Sequence, residues 1–473
     1  MMAKAKHGGR FRRRKRVSSV FTVLFLLMFF LLYPIPAHST TSADSFADLR
    51  VGISLIGNNL ELSFESEYSL VSMDSDEPLP LAAGRYRLTN AGDGIEMYDL
   101  REGNREFLQG PLSLQPSASS SENQFLRLHN ALYGQEYRGA LEIIPEGSGL
   151  IAVNVLDLES YLRGVLPGEM PPAWGSYGGM EALKAQAVAA RTYALYNRGA
   201  HRHSKYHLCD QQHCQVYKGK DVESRHTDTA ISETCGEILT FEGQIVEPFY
   251  HASNGGFTEL GQNVWLASRP YLASTPDPYD DPDNPLGLPG FIRYSRWAVD
   301  IPLKSLGDLL AGKGYHTGEV KQVKIISSFP SGRVEEIVME GKSGRSVSLL
   351  KEKARTVLGL ESQLYTVRSE PEAQLWVASV DNDLQKKESF PELAGKWVIN
   401  GHNIKSRLSG NRFSVLGDGV QDYIPYASLV FEGRGRGHGV GMSQYGAYNR
   451  SRAGQSYREI LSFYYPGTDV VAR

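Results

Sequence analysis

Residues 181–197 read EALKAQAVAARTYALYN. Ala, Leu, Lys and Gln dominate the stretch, no Gly or Pro interrupts it, and Gly199 follows its end, so the pattern predicts a helix. Leu183, Ala187, Ala190 and Ala194 recur at helical spacing. Small side chains on that face let a neighbour pack closely, which places the helix deep in a core. Upstream, Asp157-Leu158-Glu159-Ser160-Tyr161-Leu162 begins a second, short helix.

Before these helices the chain alternates, as in Leu49-Arg50-Val51-Gly52-Ile53 and Leu60-Glu61-Leu62-Ser63-Phe64, a period-2 strand pattern. Short strand-like runs continue to Val155, interrupted by a Ser-rich loop at Ser117–Ser121. Beyond the long helix, residues 236–250 return to strands and residues 270–290 form a long polar loop rich in Pro and Asp. Two or three strands are expected in 318–350, a helix end at Arg355–Leu360, hairpins in 365–432, and a last helix near Ser456–Tyr464. The expected fold class is α+β: a β-rich N-terminal unit (48–155), then a mixed core (156–473) with a long buried helix and β-hairpins.

The 473 residues suffice for two or three compact units, and 41% apolar with 22% charged residues is ordinary for a folded protein. Eight basic and no acidic residues stand among the first sixteen, leaving the rest of the chain at a net −11. So acidic a body is a poor nucleic-acid binder, because phosphate contacts need clustered cations. An apolar run, Val20–Tyr33, follows the basic head and reads as an export signal. Extended to 17–37 it can just cross the roughly 30 Å hydrocarbon layer as an anchor. Residues 1–39 are therefore an export signal or membrane anchor, and the remainder is expected outside the cytoplasm. Three cysteines cannot make a disulfide framework, so stability must come from a hydrophobic core.

Four segments can carry chemistry. In Gly168-Glu169-Met170-Pro171-Pro172 a carboxylate stands on a turn stiffened by proline. An apolar pocket would raise the pKa of Glu169 and suit it to general-acid work; the plainer reading is a loop carboxylate that caps a helix or pairs with Arg. In His251-Ala252-Ser253-Asn254-Gly255-Gly256, small residues allow close backbone approach, and Ser253 and Asn254 can bond sugar hydroxyls. Residues 433–447 hold six glycines, matching neither a Walker loop nor a dinucleotide fingerprint. Glycine this dense suggests backbone at a cleft wall, with His438 and Gln444 as polar contacts, and a valine at Gly439 is expected to narrow the cleft rather than upset the fold. Finally, His203, His207, Cys209, His213 and Cys214 fall within twelve residues. Zinc, a Cys209–Cys214 disulfide, and unliganded surface residues all remain open readings.

LESYLRGVLPGEMP, EALKAQAVAARTYAL, HCQVYKG, FYHASNGGFTE, GHGVGMSQYGA and EILSFYYPGTDV, in this order, resemble the stage II sporulation protein D / LytB family from about residue 50 to the C-terminus. The resemblance implies a peptidoglycan lytic transglycosylase that acts on glycan strands stripped of stem peptides, with Glu169 as the catalytic residue. It implies a structural zinc held by Cys209, His213, Cys214 and either His203 or His207. Arg191, Tyr193, His251, Ser253, Asn254, Gly255, His438 and Gln444 become candidate substrate contacts. Other members of the family are amidase enhancers, which implies as the alternative a non-catalytic wall-binding activator of an amidase or another septal wall hydrolase. A lytic transglycosylase needs one acid/base, whereas a hydrolase usually needs two carboxylates.

Overall fold

Alternation in the sequence becomes a one-sided strand: in Asn59–Phe64, Leu60, Leu62 and Phe64 are buried and the residues between them are not. The computed structural model describes residues 48–473 except 73–77, 118–123, 133, 200–204, 266–267, 284–295 and, within 371–427, all but short strands. The expected export segment, most of the Ser-rich loop, and His203 lie outside the described residues. Among those described, no helix is long and apolar enough to cross a membrane.

Asn59–Phe64 belongs to a six-stranded antiparallel sheet running from Glu136–Tyr137 to Arg105–Gln109. A seven-stranded sheet holds Leu49–Ile53, Gly149–Leu156, Ala140–Glu146 and Leu112–Pro116 as successive neighbours. Gly149–Leu156 touches Asn59–Phe64 and Gly84–Asn90, so the two sheets meet. At one edge of the seven-stranded sheet, Leu208–Cys209 pairs in parallel with Leu49–Ile53, Gly52 opposite Cys209. The first strand thus fixes the start of the Cys/His segment.

The α-helices are α1 (Leu158–Glu169), α2 (Met180–Tyr196), α3 (Arg225–Glu233), α4 (Gly261–Val264), α5 (Leu303–Gly312), α6 (Glu352–Leu358), α7 (Gln444–Arg452) and α8 (Tyr457–Tyr464). Asp157 caps α1 by accepting the Ser160 N–H, and Ser456 with Glu459 forms a capping box on α8. The expected long helix is α2, buried from Ala182 to Ala194 on nearly every side. It packs against α1, α3, α7 and α8. A helix buried all round is dictated by its Ala content, since larger side chains would hold these four neighbours apart.

A second core gathers α5, α6 and the strands Val320–Ser328, Val334–Gly341 and Ser346–Leu350 around Leu306, Ile337, Met339 and Phe431. Tyr365–Glu370 and Arg296–Pro302 both pair with Ser428–Arg434. The stretch 371–427 is therefore spanned at its base by a strand pair, with three short hairpins described inside it. The chain is α+β, as the sequence predicts.

Candidate active site

Glu169 is the last residue of α1, not part of a turn between helices; the helix continues through Pro167 and ends at the Met170 cap. Gly164 and Gly168 stand one turn apart on α1. A Cβ on Gly164 would meet the Tyr217 ring at 2.5 Å, and one on Gly168 would meet the Val216 carbonyl at 3.1 Å. The two glycines form a groove into which residues 216–219 dock, and the Lys218 N–H bonds the Gly164 carbonyl at 3.0 Å. This docking brings the Val216 N–H to 3.1 Å from Glu169 Oε1. Glu169 keeps an accessible edge, yet the surrounding protein is dense enough that burial raises its pKa. The Val216 N–H and the charge of Lys218 oppose that rise only in part. The negative end of the α1 dipole acts in the same direction as burial.

Glu169 opens on a cleft of about 570 Å³ whose lining also includes Tyr193, His213, Cys214, His251 and Gln444. The elements that meet there are the end of α1, the middle of α2, the Cys/His segment, the strand Tyr250–His251 and the start of α7. Tyr250–His251 pairs in parallel with Met442–Ser443, which joins two of the quoted motifs across nearly two hundred residues. Val440 donates its N–H to His438 Nδ1 (3.0 Å), so Nε2–H of His438 donates to the Tyr250 carbonyl (3.1 Å). Burial pushes the pKa of His438 down to about 3. His251 Nδ1 lies 3.1 Å from the Val440 carbonyl and carries the proton, leaving Nε2 as a buried acceptor without a partner among the described residues. Burial, followed by the neighbouring His438, holds His251 neutral as well.

Several expected substrate contacts face elsewhere. Arg191 is fully buried: two of its nitrogens bond the Glu159 carboxylate at 2.7 Å and a third bonds the Glu237 carbonyl at 3.0 Å. Ser253 and Asn254 are buried too. The Ser253 hydroxyl donates to Asp280 (2.9 Å) and the Asn254 amide to Asp277 (2.8 Å), so neither reaches a sugar. Gly255 packs against the Arg434 backbone. His438 lines the cleft with both nitrogens committed, so it serves as wall. The glycine-rich block also departs from expectation. Gly435, Gly437, Gly439 and Gly441 all have φ between 72° and 101°, which explains the period-2 glycines. A Cβ at Gly439 would strike the buried Arg333 guanidinium at 2.3 Å, so a side chain there threatens the fold, not the cleft.

Cys209, His213 and Cys214 place their ligand atoms within 4.8 Å of one another. The Cys214 Sγ to His213 Nδ1 separation is 3.5 Å and Cys209 Sγ to His213 Nδ1 is 4.0 Å. Tetrahedral zinc with these ligands requires edges of about 3.5–3.8 Å, so the donor set fits. The thiols are not joined as a disulfide. A hydrogen bond from Cys214 pushes the Cys209 pKa down to about 5, and Cys214 rises in return. His207 is not part of this group: its Nδ1 accepts the Arg50 N–H at 3.1 Å.

Among the cleft residues that the sequence reading did not single out are Tyr250, Trp265, Arg355 and Glu361. Tyr250 stands inside the quoted FYHASNGGFTE and Trp265 six residues beyond it; Arg355 and Glu361 arrive from a distant segment that reads only as a helix end. The sequence reading also missed that two aspartates of the Pro/Asp loop are internal. Asp277 and Asp280 are buried and hold Ser253, Asn254, Ser443, Arg450 and Tyr464.

Residues 146–241 match a family described as stage II sporulation protein. An uncharacterised protein of Brachyspira hyodysenteriae is 29% identical over 72% of this chain and 73% of its own. An amidase enhancer of Bacillus subtilis is 29% identical over 88% of this chain, which spans only 54% of that protein. A stage II sporulation protein D of Bacillus amyloliquefaciens is 28% identical over 67% of this chain and 75% of its own. The family match covers α1, α2 and the Cys/His segment, the elements that position Glu169, and over these residues the chain is similar to the stage II sporulation protein D / LytB family.

Proposed function

We propose that this cleft cleaves peptidoglycan glycan strands as a lytic transglycosylase, with Glu169 as the single acid/base. The observation that carries the reading is a carboxylate at the end of a helix, with its pKa raised by burial and an edge open to a cleft. A carboxylic acid of that kind holds its proton nearer neutrality than a free Glu does. It protonates the leaving glycosidic oxygen, then takes the proton from the muramic acid C6 hydroxyl as that oxygen closes a 1,6-anhydro ring. Tyr193, Gln444 and the unpartnered Nε2 of His251 are the neutral groups that orient the sugars. Cys209, His213 and Cys214 would hold zinc, with His203 as the candidate fourth ligand. The metal would brace the segment whose Val216 N–H meets Glu169. The site of action is outside the cytoplasm, with residues 17–37 as signal or anchor.

Two other readings have specific support. Glu361 lines the same cleft, beside Arg436 at 3.6 Å, and a hydrolase could use it as a second carboxylate. The alignment with an amidase enhancer supports a non-catalytic activator of a cell-wall amidase. Mass analysis of products from purified, peptide-free strands separates all three. Ends lighter by one water than a hydrolysis product support the transglycosylase, reducing ends support the hydrolase, and intact strands support the activator.

A further inference from the structure

A second cavity, of about 710 Å³, opens on the sheet formed by Arg296–Pro302, Ser428–Arg434 and Tyr365–Glu370. No quoted motif singled it out except at its edge. Two aromatic side chains on its lining carry polar atoms that the described residues leave unanswered. Trp297 Nε1 and the Tyr365 hydroxyl are both buried, and neither has a hydrogen-bond partner among the described residues. Buried donors of this kind are rare in a finished fold, because each forfeits its water without replacement. The rings are fixed in place. A Cβ on Gly433, opposite Trp297, would lie 2.2 Å from the indole, so the indole rests against bare backbone. The two ring centroids stand 6.3 Å apart at 53°.

The charges around these rings cancel. Arg296 and Arg434 pair with Asp283, and Glu432 pairs with Arg368 at 3.1 Å. An anionic peptide would need an uncommitted cation, which this lining does not offer. A neutral ligand with apolar faces and many hydroxyl or amide groups suits it better, since Trp and Tyr each present an apolar body with one polar atom.

The lining of this cavity also adjoins that of the Glu169 cleft along the chain. Gly433 and Arg434 line the cavity, and Arg436 and Gly437 line the cleft. Alongside them, Leu364 and Tyr365 line the cavity while Glu361 lines the cleft. The two segments are tied by Arg434 N–H to Leu364 O and Gly437 N–H to Glu361 O, each 2.9 Å. Four residues of chain span at most about 14 Å, so the two openings lie within reach of one short oligosaccharide.

We infer that the Trp297/Tyr365 cavity is a distal saccharide subsite, which holds a sugar of the same glycan strand several units from the bond at Glu169. This rests on the glycan-cleaving reading above. The test measures binding without turnover, in the full chain carrying Glu169→Gln, by calorimetry with β-1,4-linked N-acetylglucosamine trimer and hexamer. The hexamer should bind more tightly than the trimer. Adding Tyr365→Phe should shrink that gain about fivefold, the value of one hydrogen bond. The thermal midpoint should hold, because the deleted hydroxyl has no partner among the described residues. An unchanged gain in the Tyr365→Phe protein, or no gain in its parent, overturns the subsite while leaving the glycan reading intact. Failure of the parent to bind either oligomer overturns both.

Discussion

The end of α1 and the Ser253–Glu259 loop are equally rich in polar motif residues, and they use them in opposite ways. Glu169 accepts one backbone N–H and otherwise faces a cleft. The loop's polar groups are spent internally: Ser253 on Asp280, Asn254 on Asp277, and Glu259 on Ser331, Leu260 and Asn263. Arg333 packs over this loop and donates to the Asn254 carbonyl at 2.8 Å. The lesson is one of hydrogen-bond accounting. A motif residue is available for chemistry only where folding leaves it a vacant partner, and a satisfied buried network instead holds two chain segments in register.

That contrast is broken most severely at Glu169. Glu169→Gln should lower cleavage of stripped strands by about 10²–10⁴ while leaving the fold intact. The raised pKa means that the ionised carboxylate is disfavoured in the folded state. Its contribution to stability is therefore full below the unfolded carboxylate pKa and is lost as pH rises through the folded one. The Gln variant should match or exceed the parent's thermal midpoint at neutral pH. Cleavage at the parental rate by a folded Gln variant would remove Glu169 from the mechanism.

On the other side of the comparison, Gly439→Val should act on stability. The collision with Arg333 and the φ of 80° together predict a loss of about 2–4 kcal/mol. Chemical denaturation checks this, and a Val variant with parental stability but impaired turnover would restore the narrowed-cleft expectation.

Metal removal should fall between the two. Elemental analysis should find about one zinc per chain, and chelation should reduce cleavage by less than Glu169→Gln does, since on the proposed reading the ion would support the Val216 segment without entering the reaction. Metal-free protein with parental cleavage would refute the bracing role.

The smallest effects draw the finest line. Ser253→Ala leaves the buried Asp280 short of one donor and should cost about 1–3 kcal/mol of stability, with little change in turnover once folded. Gln444 has no hydrogen-bond partner among the described residues, so Gln444→Ala should do the reverse. The pH dependence of stability gives an independent check. Burial, followed by the neighbouring Asp277, pushes the Asp280 pKa up to about 7. Its stabilising contribution should decline from about pH 4 to pH 7 and level off above that, and Asp280→Asn should flatten the decline. A parental pH profile in the Asn variant would place the proton elsewhere.

Local pattern determined a great deal in this protein. Period-2 alternation specified the β-rich region, the Ala-rich run specified α2, and Gly164 and Gly168 were already one turn apart in the sequence, because such features depend on near neighbours alone. Glu169 was singled out through the Glu-Met-Pro block of the family resemblance, and the turn expected there is the end of a helix. What the sequence left undecided was where each polar side chain finds its partner. Arg191, Ser253 and Asn254 read as surface chemistry and are interior ties. Asp277 and Asp280 read as a solvated loop and are buried anchors. Glu361 and Arg355 come from a segment that reads only as a helix end, yet reach the cleft. Partners separated by up to 276 residues, as for the Tyr457 N–H and the Glu181 carboxylate, are chosen by packing. Burial makes an unmet hydrogen bond costly, and only the tertiary structure decides which groups are buried together.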